Sequence, residues 1–444
     1  MNLSDRFLDI VSRVRRMNYS HTVETLVRTY LVDTIGVTFA GAAGLRNKEE
    51  SILTMQMSKG ASKPIGFQKG CSLSDALFIN GLSAHFLELD DGVRYGVIHP
   101  SAPLFSVLIP IAVDKEVDWD DFLRGTVCGY ETSIRIASAM QPYHYKAGYH
   151  PTATCCTLGV AVGVAVMLGW DDEVVKNAFS AACVSACGSL KVLEDVSQLK
   201  PYNCAKAALN GYMSAVIAKA GFDGPKDPLD GDTGFLKMMA DSYDEETLIG
   251  EREYLYLEKI YQKLYASCRH THPEIEACFN IRKSPAFCFE QVDHVNVTTY
   301  TGVMGKHDFK DIHGESSARM SIPYSVAVSL ATGKAGIAEF AEPYLTDKSI
   351  LDLTKKVDVL PSEELDKLVP DKRVAIVEVE MKDGSKLTGR VDFPKGEPEN
   401  PLTPEENFAK FLSMTAHAGM PEDKAKKIFH EFTRVKNPNF NILW

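Results

Sequence analysis

Through the first half of the chain, apolar side chains recur every three or four residues, the period of a helix buried on one face. The segment 20–40 carries that period without interruption. Gly44, Asn47 and Glu50 break it before a short helix near Ser51. A further helix is expected over 74–87, with Ser72, Ser74 and Asp75 as candidate caps. The next stretch, ELDDGVRYGVIHPSAP, is too polar and too rich in Gly and Pro for a regular element. Helices are expected again over 104–113 with Pro110 as a kink, over 118–140, over 151–168, from Asp171 onward and over 205–220. Ala and Gly crowd these runs, as in GVAVGVAVM and AACVSACGS. Small side chains let helices approach closely, so the runs read as a stack around one large core.

The period changes beyond residue 260. DHVNVTTYTG (293–302) alternates as a strand does, and 374–393 alternates on both sides of Asp383-Gly384, a hairpin signal. Helices are expected between these strands, over 323–332 and 337–342. The chain then closes with helices over 404–416 and 421–432, each with a proline at its start.

At 444 residues, two domains are the natural expectation. The net charge of -11, with no basic block, gives no footprint for nucleic acid, so any anion pocket must be built from specific basic residues. The uncharged run 151–170 raises a membrane question by its length. Its Thr, Cys and Gly content, with Asp171 and Asp172 following at once, favours a buried helix. The N-terminus lacks the apolar region of a signal peptide. Ten cysteines without a CxxC pair read as free thiols in a reducing compartment, so a cytoplasmic protein is expected.

Five segments offer chemistry. Glu88, Asp90, Asp91 and His99 share one loop, which is either a solvated acidic loop or a base with its orienting groups. Gly92 and Gly96 argue for a shaped backbone there. His150 precedes Pro151 as His99 precedes Pro100. In each case the imidazole sits at a helix entrance that favours an anion and disfavours a protonated histidine. Lys200 lies just before a helix, facing either water or an anion. Lys263, Cys268, Arg269, His270 and His272 crowd into ten residues. Their spacing fits no recognised zinc pattern, whereas Arg269 and Lys263 suit a carboxylate clamp. Ser316, Ser317 and Arg319 either bind a carboxylate or cap the following helix. GxGxxG, P-loop and GxSxG patterns are absent, which removes the usual sequence support for NAD, flavin, nucleotide and serine-hydrolase chemistry.

The stretches HFLELDDGVRYGVIHPSAP (85–103), GYHPTATCCTLGVAVGVAVMLG (148–169), LKPYNCAKAALNG (199–211), CRHTHPEIEA (268–277) and SSARMSIPYSVAVSLATGK (316–334) resemble the MmgE/PrpD family. That family includes 2-methylcitrate dehydratase, cis-aconitate decarboxylase and iminodisuccinate epimerase. The resemblance implies a mainly α protein: a large all-helical domain (1–262 with 400–444) and a smaller α+β lid domain (263–399) inserted before the C-terminal helices. It also implies a homodimer, no metal or other cofactor, and a small anionic di- or tricarboxylate as substrate.

His99, His150, Lys200, Asp90 and Asp91 become the expected catalytic residues. Lys263, Cys268, Arg269, His270, His272, Glu88, Ser316, Ser317 and Arg319 become the expected substrate contacts. Against the decarboxylase branch, Glu88 replaces an aspartate, Gly92 a threonine, and Asn203 and Cys268 each a histidine. Loss of water from a methylcitrate-like substrate is therefore the leading expectation, with epimerisation, decarboxylation and an inactive scaffold as alternatives.

Overall fold

The computed structural model describes residues 1–46, 59–193 and 197–444, so the expected helix near Ser51 lies outside the described residues. Its longer helices are α1 (Leu3–Arg16), α2 (His21–Gly44), α3 (Leu73–His85), α4 (Ser101–Asp114), α5 (Trp119–Met140), α6 (Pro151–Met167), α7 (Asp172–Ser185) and α8 (Lys200–Lys219). These are followed by α9 (His272–Arg282), α10 (Ile322–Thr332), α11 (Pro404–His417) and α12 (Glu422–Arg434). Side-chain caps set several starts: Ser20 accepts from the Val23 amide at 3.2 Å, Ser72 from Asp75 at 3.2 Å, and Asp118 from Asp121 at 2.9 Å.

Every residue of α6 is buried, which explains its lack of charge. Glycines allow its closest approach to α5. A Cβ on Gly159 would lie 2.4 Å from the Gly129 carbonyl oxygen, so a larger side chain there would force the two helices apart. No described helix is long and apolar enough to cross a membrane.

The sheet is β1 (Val292–Thr299), β2 (Val357–Pro361), β3 (Ala375–Met381) and β4 (Lys386–Val391), in spatial order β2-β1-β3-β4. β1 runs parallel to β2, with Val295 opposite Val357, and antiparallel to β3, with Val297 opposite Val377. The β3–β4 hairpin turns where expected, with Gly384 at φ 81°. β3 alternates buried and half-buried positions, and α9 covers this part of the sheet. α11 and α12 pack back onto α2, so the chain's end returns to the helical stack.

Two expectations are corrected. The helix expected over 205–220 begins at Lys200, because Pro201 suits a first turn. The helix expected over 337–342 is a single 3-10 turn, Ala338–Phe340. α1, α9 and β2 are not among the expected elements.

Candidate active site

The loop between α3 and α4 is irregular but held from several sides. Gly92 and Tyr261 exchange backbone hydrogen bonds of 3.0 and 2.8 Å, and Val93 and Ile98 close a small bridge. From α11, Lys410 Nζ donates to the Leu89 carbonyl at 3.1 Å while paired with Asp33 of α2 at 2.6 Å. Glu88 takes a left-handed backbone, φ 54°, uncommon for a side-chain-bearing residue and frequent at functional sites.

That backbone turns the Glu88 carboxylate into a buried ionic cluster. Lys200 Nζ lies 2.6 Å from both of its oxygens, and Lys263 Nζ lies 3.2 Å from one and 3.1 Å from the Glu88 carbonyl. Burial alone would raise the Glu88 pKa, but the two ammonium groups hold it well below the usual carboxylate range. Asp90 receives His85 Nδ1 at 2.7 Å. Burial again opposes ionisation, and His85 with Lys263 overcomes it, so Asp90 is also held low.

Asp91 goes the other way. Burial, helped by the nearby charges of Asp90 and Asp33, pushes it up to about 8 against the hydrogen bonds from Ser101. The Ser101 hydroxyl bonds this carboxyl and lies 2.5 Å from the Tyr130 hydroxyl. Two consecutive aspartates thus hold opposite protonation states at neutral pH.

The two His-Pro histidines come together and differ in tautomer. His99 Nδ1 lies 2.6 Å from the Asp91 carbonyl oxygen. A carbonyl only accepts, so Nδ1 carries the proton and Nε2 is left as an acceptor. His150 Nδ1 lies 3.2 Å from the Asn203 amide nitrogen, which also donates to the Ser189 carbonyl at 3.2 Å. That carbonyl fixes the amide's orientation, so His150 Nδ1 accepts and Nε2 carries the proton. Burial, with Lys263 for His99 and Lys200 for His150, keeps both pKa values well below the ordinary imidazole value, so both rings are neutral. Thr152 in the first turn of α6 accepts from the His99 backbone amide at 3.1 Å, tying the two loops together.

His99, His150 and Lys200 line one cleft with Cys268, Arg269 and His270. Arg269 faces it with its charge already paired: Glu397 receives it at 2.6 and 3.1 Å, and it stacks 4.5 Å over the Tyr261 ring. Two further basic residues, His307 and Arg373, line the cleft although the sequence does not single them out. Arg373 donates to the Arg94 carbonyl at 3.4 Å and makes no direct ion pair among the described residues, the Glu397 charge acting on it from farther away. Both lie outside the motif stretches, and only the clustering of basic residues near β3 could have pointed to Arg373.

The structure does not bring the other expected contacts to the cleft. Lys263 and Glu88 sit behind it as the ionic cluster, and Asp90 and Asp91, expected to be catalytic, are buried as well and do not line it. His272 is buried against Arg269 at 2.9 Å. Ser317 accepts from the His313 amide and donates to the Gly314 carbonyl, and Arg319 pairs with Glu315 at 2.8 Å. Neither they nor Ser316 reach the lining; these residues shape the short helix Glu315–Met320.

Among the described residues, two groups of donor atoms lie within metal-ligating range of one another: Cys268, His270 and His307, and His85, Asp90 and His99. In the second, His85 Nδ1 and Asp90 already bond each other, and the Asp91 carbonyl takes His99 Nδ1. The first faces the positive charges of Lys200 and Arg373, which work against a cation.

Profiles of the MmgE/PrpD N-terminal and C-terminal domains match residues 5–247 and 265–433. The cis-aconitate decarboxylase of Aspergillus terreus is 25% identical over 433 residues, covering 90% of this chain and 86% of the relative. The human enzyme of that name is 25% identical over 398 residues, covering 86% and 81%. The mouse enzyme is 24% identical over 419 residues, covering 90% and 84%.

Proposed function

The chain belongs to the MmgE/PrpD family, and from that premise we propose that it is a lyase decarboxylating a small unsaturated tricarboxylate of the cis-aconitate kind. The observation that carries this reading is a neutral His150 with its proton on Nε2, in one cleft with the guanidinium of Arg373 and the ammonium of Lys200. The similarity to cis-aconitate decarboxylases supports the choice of bond to break.

Arg373 holds a carboxylate of the substrate, by a bidentate pairing that a guanidinium geometry suits. As the C–CO2 bond breaks, its electron pair forms a new double bond, and the pair of the old double bond takes the proton from His150 Nε2. Negative charge growing on the remaining carboxylates is stabilised by Arg373 and Lys200, whose positions are set before reaction. A proton from solvent then restores His150.

Dehydration is the second reading, and the opposite tautomers favour it. His99 Nε2 takes a proton from the carbon next to a carboxylate, while His150 Nε2–H protonates the hydroxyl that leaves as water. Cys268, standing where the decarboxylase branch carries a histidine, favours it as well.

Incubation in D2O with cis-aconitate, methylcitrate, citrate or iminodisuccinate, followed by NMR, tests both readings. Decarboxylation releases CO2 from cis-aconitate and leaves one deuterium in the product, and His150→Ala abolishes it. Inert cis-aconitate, with a new alkene from methylcitrate, replaces the first reading by the second. Deuterium exchange into iminodisuccinate without net conversion points to epimerisation instead.

A further inference from the structure

Cys268 stands apart from the other buried thiols. Burial pushes Cys71 up to about 11 and both Cys128 and Cys155 up to about 12, as expected of inert core cysteines. At Cys268 burial acts in the same direction, but His307, with help from Lys200, outweighs it and brings the thiol down to about 6. Burial would lower His307, and the Cys268 sulfur raises it.

The geometry is that of a nucleophile and its base. Cys268 Sγ lies 4.0 Å from His307 Nε2, and His307 Nδ1 lies 2.9 Å from the Met320 carbonyl oxygen. That carbonyl accepts a proton from Nδ1 whatever the charge of the ring, so Nε2 is the atom turned toward sulfur. A thiol, an imidazole and a third group orienting the imidazole are the parts of an activated cysteine. The backbone amide of Cys268 is pinned to the Arg319 carbonyl at 2.8 Å. Both side chains open on the cleft.

The other groups around the pair are mostly cationic or neutral. Lys200, Lys263 and Arg373 carry positive charge, and His270, stacked on His307 with centroids 4.9 Å apart, is held neutral by burial and by Arg373. Tyr145 and Tyr300 are held in the phenol form by burial. Two carboxyl groups act on the pair. Glu88 is engaged by Lys200 and Lys263. Burial, with the Cys268 sulfur adding to it, pushes the buried Glu274 up to about 8, so that it is neutral where the thiol titrates.

We propose that Cys268 and His307 form a nucleophilic thiol–imidazole pair that makes the cleft a covalent modification site for small anionic carbon electrophiles of the halocarboxylate kind. His307 takes the thiol proton and sulfur attacks the electrophilic carbon. The carbon–halogen bond breaks, halide leaves with the bonding pair, and the proton stays on His307. The product is a thioether, formed without oxidant or reductant, and the step does not depend on the proposed turnover.

The test is alkylation of the full-length protein by iodoacetate and, separately, by iodoacetamide across a pH series, with occupancy at each cysteine read by peptide mass spectrometry. Cys268 is expected to react with iodoacetate about tenfold faster than with iodoacetamide, because a cationic cleft concentrates anions. Its rate should be half-maximal near pH 6. The exposed Cys187 and Cys288 serve as internal references for thiols outside the cleft. His307→Gln, checked for folding by circular dichroism and thermal melting, should move the midpoint toward the free-thiol value of about 8.5 and slow the reaction at neutral pH by tenfold or more. A Cys268 that does not react, that prefers the neutral reagent, or whose rate is unchanged in a folded His307→Gln overturns the proposal.

Discussion

The side-chain amide of Asn203 donates to His150 Nδ1 at 3.2 Å, and this one contact decides where His150 carries its proton. Replacing the amide by a carboxylate reverses the bond, because a carboxylate only accepts. Asn203→Asp should move the proton to Nδ1 and leave Nε2 without one to give. Loss of a positioned acid lowers kcat by about 10²–10⁴, with KM little changed because Asn203 is not among the residues lining the cleft. Steady-state kinetics on the active substrate reads this directly. An Asn203→Asp enzyme of wild-type kcat would remove His150 from the role of acid.

Glu88 neutralises two buried cations at once. Glu88→Gln leaves Lys200 and Lys263 facing each other without that charge, and breaking such a cluster costs about 3–5 kcal/mol. Urea unfolding should show that loss at neutral pH. The folded-state pKa of Glu88 lies below its unfolded value. Its contribution is therefore complete above the unfolded value of about 4.3 and is lost as pH falls through the lower folded value. The variant and the wild type should converge in stability on the acid side.

Asp91 has the opposite linkage. Its folded pKa of about 8 lies above the unfolded value, so between the two the folded chain keeps a proton that the unfolded chain has released. That term weakens folding progressively as pH rises from about 4 toward 8. Asp91→Asn, which copies the neutral carboxyl in shape, lacks this dependence. Its stability relative to wild type should climb across that window in parallel chemical denaturations; a constant difference would mean that Asp91 is ionised in the folded protein.

Much of this arrangement is legible in the sequence. α6 could be read from an uncharged run bounded by Pro151 and Asp171, and the β3–β4 hairpin from Asp383-Gly384 between alternating residues. His99 and His150 could be read as a pair because each precedes a proline at a helix entrance. β2 could not, since it is short and only Val357 is fully buried, leaving no alternation to detect. The roles of Lys263 and Arg269 were not legible either. A cation near a motif looks the same whether it meets substrate or, as here, Glu88 and Glu397 supplied from far along the chain. His307 and Arg373 enter the site only through tertiary packing, beyond the reach of local pattern.

The two cleft arginines should respond differently to mutation. Arg373, which makes no direct ion pair among the described residues, should act through substrate. Arg373→Ala is expected to lower kcat/KM by about ten- to a hundredfold, the worth of one charged hydrogen bond, with little change in melting temperature. Arg269 holds Glu397, which also receives Arg94 at 2.7 Å. Arg269→Ala should therefore lower thermal stability first. Equal melting temperatures for the two variants would contradict this division.

The bond from Lys410 to the Leu89 carbonyl gives the last helices a reach beyond their own packing. Lys410 draws together Asp33 near the chain's beginning and the loop that carries Glu88, Asp90 and Asp91. A protein cut before α11 would lose a tether of that loop, not just a flank of the stack. By the same route, drift along α11 between related proteins can re-aim His99, whose Nδ1 takes its bearing from the Asp91 carbonyl two residues beyond the tether. The tail of the chain is thus a place from which catalysis can be tuned without touching any residue that meets substrate.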